Sequence, residues 1–525
     1  MFHFFSTGLR MFRELITISL AVALGIAAQA RELGPESALM PMPASLVMPS
    51  GKAVAVVEDP SGRSTLPSGH RLLSAYGDII SRHFGEGRGV NATIGIDKAL
   101  TGDEHYRLEV DSASLRLAGS SEEALFRGLQ TLDQMLWGDV AMTARGLVSP
   151  IVIDDAPAYP RRALMLDPAR HFLPVDDVKR FIDVMASYKY NVLQLHLTDD
   201  EGWRVAVEGH PELTDGTDHY TASDIAELVD YAAQRYIEIV PEADIPGHTS
   251  AVLAVHPGLG CHIADSAALA AVPGRGVMVC AANDSVYALY DDVIRSIASM
   301  FPSPYIHLGG DEAAIERNWA LCADCRRMMA ERGYTDAAQL MNDFFGRMLA
   351  TVRDCGKKAI LWCELDNIYM PAEKYLMDYP ADVTLVTWRN GLTPKCVELT
   401  AAHGNPLLMA PGEHAYLDYP QMRGDLPEHN NWGMPVTTLR QAYAIEMPSA
   451  DNVTGVMGTL WGEAINDVDR AFYMAYPRAM ALAEAGWTPR SGRSWDSFRR
   501  RLPGALGQLM ERGVSFRVPF ESLGQ

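Results

Sequence analysis

From Arg162 onward, short apolar runs alternate with longer stretches whose hydrophobic positions repeat at helical spacing. The runs are Ala163–Leu166, Val192–Leu197, Ile237–Val240, Tyr305–Leu308, Ala359–Trp362, Thr384–Trp388, Leu407–Met409 and Val456–Leu460. Eight strands separated by helices predict a (β/α)8 TIM barrel. Upstream, Tyr106–Val110 and Ser114–Leu117 read as strands, and Glu122–Trp137 as an amphipathic helix with Leu125, Leu129 and Leu132 on one stripe. They predict a small α+β domain that ends at the Pro-bearing stretch Asp154–Pro160. At the N-terminus, Arg10 and Arg13 precede an apolar run from Leu15 to Ala28, which closes on Ala28-Gln29-Ala30. The run is shorter than the roughly 20 residues a spanning helix needs, so it reads as a signal peptide cleaved after Ala30. The expected organisation is therefore a signal peptide (1–30), an α+β non-catalytic domain (31–155) and a catalytic barrel (156–525), in a protein exported to the periplasm or secreted.

Composition narrows the partners. The 525 residues carry 45 Lys and Arg against 66 Asp and Glu, a formal net charge of -21 without a basic block, which argues against nucleic acid and anionic membrane surfaces. Seven cysteines are too few for a disulfide scaffold in a chain this long. Export makes single bridges reasonable, and Cys261 and Cys280, which flank a Gly- and Ala-rich loop, are expected to pair. Cys322-Ala-Asp-Cys325 has no second pair at zinc spacing, so a local bridge or two unpaired thiols is expected there, and Cys355, Cys363 and Cys396 read as packed thiols. With no dinucleotide fingerprint and no metal-ligand pattern, the expectation is no metal and no cofactor.

A barrel demands that its site lie at the C-terminal ends of the strands, and polar and aromatic residues gather there. Asp167 and Arg170 follow the first strand, Asp199, Asp200 and Trp203 the second, and Glu242, Asp244 and His248 the third. Asp311 and Glu312 follow the fourth, Trp362 and Glu364 end the fifth, Trp388 the sixth, Tyr416 and Asp418 follow the seventh, and Trp461 and Glu463 end the eighth. Carboxylates among Trp and Tyr suit a sugar, whose apolar face stacks on aromatic rings while its hydroxyls bind acids. No phosphate loop and no nucleophile-elbow serine competes with that reading.

The sharpest motif is His307-Leu-Gly-Gly-Asp-Glu312. Side chains alternate along a strand, so adjacent acids are badly placed to flank one glycosidic bond as nucleophile and acid. A substrate-assisted route fits instead: a 2-acetamido oxygen attacks the anomeric carbon, Glu312 protonates the leaving oxygen and Asp311 holds the acetamido N–H.

Together with Arg162-Ala-Leu-Met-Leu-Asp-Pro-Ala-Arg-His-Phe172, His196-Leu-Thr-Asp-Asp-Glu-Gly-Trp-Arg204 and Pro241-Glu-Ala-Asp-Ile-Pro-Gly-His248, this motif resembles, in order, those of the family 20 glycoside hydrolases, the β-N-acetylhexosaminidases. The likeness extends to Gly128-Leu-Gln-Thr-Leu132 in the N-terminal domain. It implies a retaining exo-enzyme that releases terminal N-acetylhexosamine from glycans or chitooligosaccharides, with Glu312 as acid/base and Asp311 orienting the acetamido group. By position, Arg170 matches the arginine on the sugar's C3 and C4 hydroxyls, and Trp362, Trp388 and Trp461 the tryptophans around the acetamido group and ring. Tyr416, Asp418 and Glu463 match further substrate contacts, while Asp199, Asp200, Asp244 and His248 look like supports of Glu312. Pro168 stands where the family more often has Ser or Val. Competing readings are a disaccharide-releasing relative and a sugar-binding protein without turnover, and the pairing of Asp311 with Glu312 argues against the latter. A homodimer is compatible with the sequence.

Overall fold

The computed structural model describes residues 34–263, 277–364, 378–423 and 434–519. The signal-peptide reading lies outside them. None of the described helices is long and apolar enough to cross a membrane. The chain divides into two compact units.

The first unit contains the chain up to Ala158, Ser187–Lys189 and everything from Ala483 onward. Its main sheet has six strands in the order 45–47, 151–155, 106–110, 115–119, 92–96 and 62–64. Strands Tyr106–Val110 and Leu115–Gly119 alternate buried and partly or fully exposed residues, as a sheet covered on one face should. Helix Glu122–Gly138 covers that face, with Ser121 capping its N-terminus and Leu125, Leu129 and Leu132 fully buried. Gly128 is required because a Cβ there would sit 2.4 Å from Leu117. At the unit's centre the buried ammonium of Lys189 donates to Asp155 and to Tyr106, each at 3.0 Å, and lies over the Trp487 ring.

The second unit spans Tyr159–Ala186 and Tyr190–Leu482. Eight parallel strands close into a barrel in sequence order: β1 (Arg161–Leu166), β2 (Val192–His196), β3 (Glu238–Ile245), β4 (Tyr305–Gly309), β5 (Lys358–Trp362), β6 (Thr384–Thr387), β7 (Leu407–Met409) and β8 (Val453–Leu460). β1 pairs with both β2 and β8, so the sheet has no edge. Ala163, Met165, Val192, Val240, Ile360, Val386, Leu408 and Met457 form one buried cluster, with Trp362 among them and Trp388 and Trp461 packed on it. Every apolar run read from the sequence lies in one of these strands or overlaps it.

β3 runs further than its apolar signal, through Glu242 and Asp244 to Ile245. The polar residues hid the strand because charged groups facing a barrel interior break the apolar pattern. Glu242 is wholly buried and surrounded: His196 Nδ1 at 2.8 Å, His307 Nδ1 at 3.0 Å, and the N–H groups of Gln194 at 2.8 Å and Trp362 at 3.0 Å. Despite the opposing effect of burial, the His307 and His196 charges hold its carboxyl well below the usual carboxylate range.

Candidate active site at the C-terminal mouth of the barrel

The fourth strand ends on Gly309, Gly310 follows it, and both take a positive φ that favours glycine. Gly309 has φ 64°, and a Cβ on it would lie 1.7 Å from Asp244 Oδ1. The close approach lets the Gly310 N–H donate to that same oxygen at 3.1 Å. Beyond the glycines, Asp311 and Glu312 are no longer on a strand, and Glu312 takes a left-handed φ of 49°. Strict alternation therefore does not govern these two acids. They turn to one side: His248 Nε2 is 3.7 Å from Asp311 Oδ2 and 3.8 Å from Glu312 Oε2. The Asp311 side chain is 9% exposed against 20% for Glu312. Asp311 Oδ1 is buried without a hydrogen-bond partner among the described residues, a condition that normally costs about 1–3 kcal/mol and calls for a ligand group.

Behind His248 runs a chain of charges. Its Nδ1 meets Asp199 Oδ1 at 2.9 Å, while Asp199 Oδ2 is 2.7 Å from His196 Nε2 and 2.8 Å from Arg170. Burial opposes ionisation of Asp199, yet the His248 and Arg170 charges hold it well below the carboxylate range. His196, between Asp199 and Glu242, is raised well above its ordinary value against the effect of burial. Asp200 accepts the Ser250 N–H at 2.9 Å and lies 3.9 Å from His248, while Asp244 is held above the usual range by burial and the Asp311 charge.

Arg170 is gripped by three carboxylates: Asp167 at 2.9 Å, Asp199 at 2.8 Å and Glu201 at 3.1 Å. Asp167 also accepts the Gly462 N–H at 2.8 Å, joining the first loop to the end of β8. The guanidinium lies 5.2 Å from the Trp461 ring centre. Pro168 leaves this arrangement undisturbed and offers its carbonyl to Arg204 at 3.0 Å.

The aromatic residues divide. Trp461 is half-buried, with Tyr416 6.2 Å and Trp362 5.7 Å from it. Trp362 itself is 1% exposed, with its N–H spent on Glu242. Trp388 is half-buried, and its Nε1 has no partner among the described residues. Asp418 is buried, with Oδ1 likewise unpartnered, and burial followed by the Glu463 charge pushes it above the carboxylate range. Glu463 is exposed.

Glu364, at the end of β5, supports the site in a way the sequence did not assign. Its Oε2 accepts the Glu312 N–H at 3.2 Å and its Oε1 the Arg389 Nε–H at 3.3 Å. Burial pushes it up to about 8; Arg389 opposes the rise, and Asp311 and Glu312 add to it. A raised carboxyl pKa means the folded protein holds a proton that the unfolded chain has lost, so stability drains away as pH climbs from about 4.5 to about 8. Glu364→Gln should therefore gain in melting temperature over the native protein progressively across that interval. It should also flatten any fall in kcat/KM near pH 8, because no new charge appears beside Glu312. Parallel pH profiles for the two proteins would show that Glu364 does not titrate there.

Comparison with known proteins gives the family. Residues 159–490 match the glycosyl hydrolase family 20 catalytic domain and residues 36–156 its domain 2. A β-hexosaminidase of Akkermansia muciniphila is 38% identical over 420 residues, 76% of this chain and 82% of that protein. The Streptomyces plicatus N-acetyl-β-hexosaminidase, solved with thio-NAglucal, superposes with a TM-score of 0.75 at 30% identity, covering 93% of this chain and 98% of that one. An exo-β-N-acetylglucosaminidase from Vibrio harveyi, solved with N-acetylglucosamine, gives a TM-score of 0.78 at 26% identity, covering 93% and 79%. The chain belongs to glycosyl hydrolase family 20, the β-N-acetylhexosaminidases.

Proposed function

We propose that the protein is an exported, retaining exo-β-N-acetylhexosaminidase that removes terminal N-acetylhexosamine by substrate assistance. The observation that carries this reading is the pairing at the end of β4. A buried, unpartnered Asp311 oxygen lies beside a more accessible Glu312, and both face one imidazole. Two acids beside one imidazole, one of them with a buried oxygen that calls for a hydrogen-bond donor, suit a division of labour in which Asp311 holds an N–H while Glu312 handles the leaving oxygen.

In the first step the acetamido oxygen forms a bond to the anomeric carbon as the bond to the leaving oxygen breaks, and Glu312 gives its proton to that oxygen. Asp311 accepts the acetamido N–H and offsets the positive charge that develops on the cyclic intermediate. Water then adds to the anomeric carbon, loses its proton to Glu312 and reopens the ring, so configuration is retained.

Arg170 binds the far side of the sugar. A guanidinium has five N–H donors, and three of them face carboxylates here. One on each terminal nitrogen remains, a fork suited to adjacent hydroxyls. Trp461 supplies a stacking face, and Trp388 Nε1 and Asp418 Oδ1 are unpaired groups able to meet sugar polar atoms.

Successive fluorination of the substrate's acetamido methyl group tests the mechanism. Electron withdrawal weakens the internal nucleophile, so hydrolysis should slow with each fluorine, and a 2-hydroxyl sugar should scarcely react. A flat series, or a sugar covalently attached to a carboxylate of the protein, would rule out substrate assistance.

A further inference from the structure

Four cysteines that the sequence presents as two unrelated pairs meet at one point. Cys261 and Cys280 come after β3 in the chain, and Cys322 and Cys325 after β4. Their sulfurs all fall within 4.8 Å of one another, and all four residues are buried, Cys322 and Cys325 completely. The expected Cys261–Cys280 pairing accounts for only half of this cluster. Cys280 Sγ lies 3.9 Å from Cys322 Sγ and 3.5 Å from Cys325 Sγ, so it singles out neither. A zinc ion takes four thiolates at about 2.3 Å, which puts sulfurs at tetrahedral corners about 3.8 Å apart; these two separations bracket that value.

We propose that Cys261, Cys280, Cys322 and Cys325 bind one structural zinc ion. This replaces the expectation of a metal-free chain. The surroundings fit a closed centre of four thiolates. Cys322 is the N-cap of helix Ala323–Arg332, where the helix N-terminus favours a thiolate. Four protein ligands leave no open position for water, so the ion has a structural role rather than a catalytic one. Binding releases the four thiol protons to solvent and involves no change in oxidation state.

The centre bears on the candidate active site through the residues next to its ligands. Cys261 donates its N–H to Met278 at 3.0 Å, Cys280 to Leu259 at 2.8 Å, and Trp319 Nε1 to Val279 at 2.9 Å. Val277 and Met278 line a pocket with His248, Asp200 and Glu312. Zinc would therefore fix one wall of the cleft beside Glu312 by tying the β3 and β4 loops together.

Elemental analysis of the full-length protein, purified without reductant or chelator, should find one zinc per chain. X-ray absorption should show four sulfur neighbours at about 2.3 Å. Denaturation with chelator and no reductant should free all seven thiols. Chelation should lower the melting temperature, and zinc chloride added to the reduced, stripped protein should restore it. Cys325→Ser should lose the metal, whereas Cys355→Ser, outside the cluster, should keep it. Should Cys325→Ser fail to fold, the native protein's metal content and thiol count still decide the matter. Two disulfides with only three free thiols, zinc held by nitrogen or oxygen, or iron in its place would each overturn the proposal. None of these readouts depends on glycosidase activity, so this assignment and the mechanism above fail separately.

Discussion

Glu312→Gln should cut kcat/KM for an unactivated disaccharide by about 10³-fold, within the roughly 10²–10⁴-fold range of general acid catalysis, yet spare aryl glycosides with good leaving groups. The reason is local: Gln cannot donate the proton that a sugar leaving group requires, whereas a phenolate of low pKa departs without it. Asp311→Asn should behave differently. Its loss, on the order of 10²-fold from removal of one charge-stabilising contact, should be similar for good and poor leaving groups, because the proposed mechanism has the acetamido group attack in either case. Plots of rate against leaving-group pKa separate the two residues, and equal slopes for both variants would refute the division of roles.

Arg170→Lys should lower kcat/KM by about 10²-fold or more, as expected when a positioning contact is lost. A lysine keeps the charge but has a single ammonium where Arg170 reaches Asp167, Asp199 and Glu201 at once. The substitution is therefore expected to lower the melting temperature as well, because buried Asp167 and Asp199 would lose fixed partners. Arg170→Lys with native kinetics and a lowered melting temperature would mark the residue as a rim salt bridge only. Loss of kcat/KM that persists well below the new melting temperature would mark it as a sugar contact.

The barrel was legible because its strands are apolar on both faces, and a run such as Ala163–Leu166 advertises itself. Asp311 and Glu312 were legible because the two glycines before them signal a turn at a strand end. Three other features were not. Glu242 meets His196, 46 residues before it in the chain, and Trp362, 120 residues after it, and no local spacing encodes either meeting. Glu364 draws its raised pKa from burial, which a single carboxylate in a sequence does not reveal. The cysteines failed for the opposite reason. Their spacing suggested local partners, but the parallel arrangement of β3 and β4 brings the loops after both strands to the same end of the barrel. His248, which by resemblance looks like a support of Glu312, lies between Asp199 and the two acids.

Closure of β1 against β8 also sets a timetable. Asp167, which holds Arg170, takes the amide of Gly462, 295 residues further along the chain. At roughly 5–20 residues per second of synthesis, about 15–60 s pass between the two. Through that interval β1 has a neighbour on one side only, and its other edge is a row of unpaired peptide groups on an apolar strand. Contacts this distant in sequence also slow folding once the chain is complete. The nascent chain is thus most prone to aggregation just before its last strand arrives, and substitutions that slow the pairing of β8 should reduce the yield of soluble enzyme more than the activity of the molecules that fold.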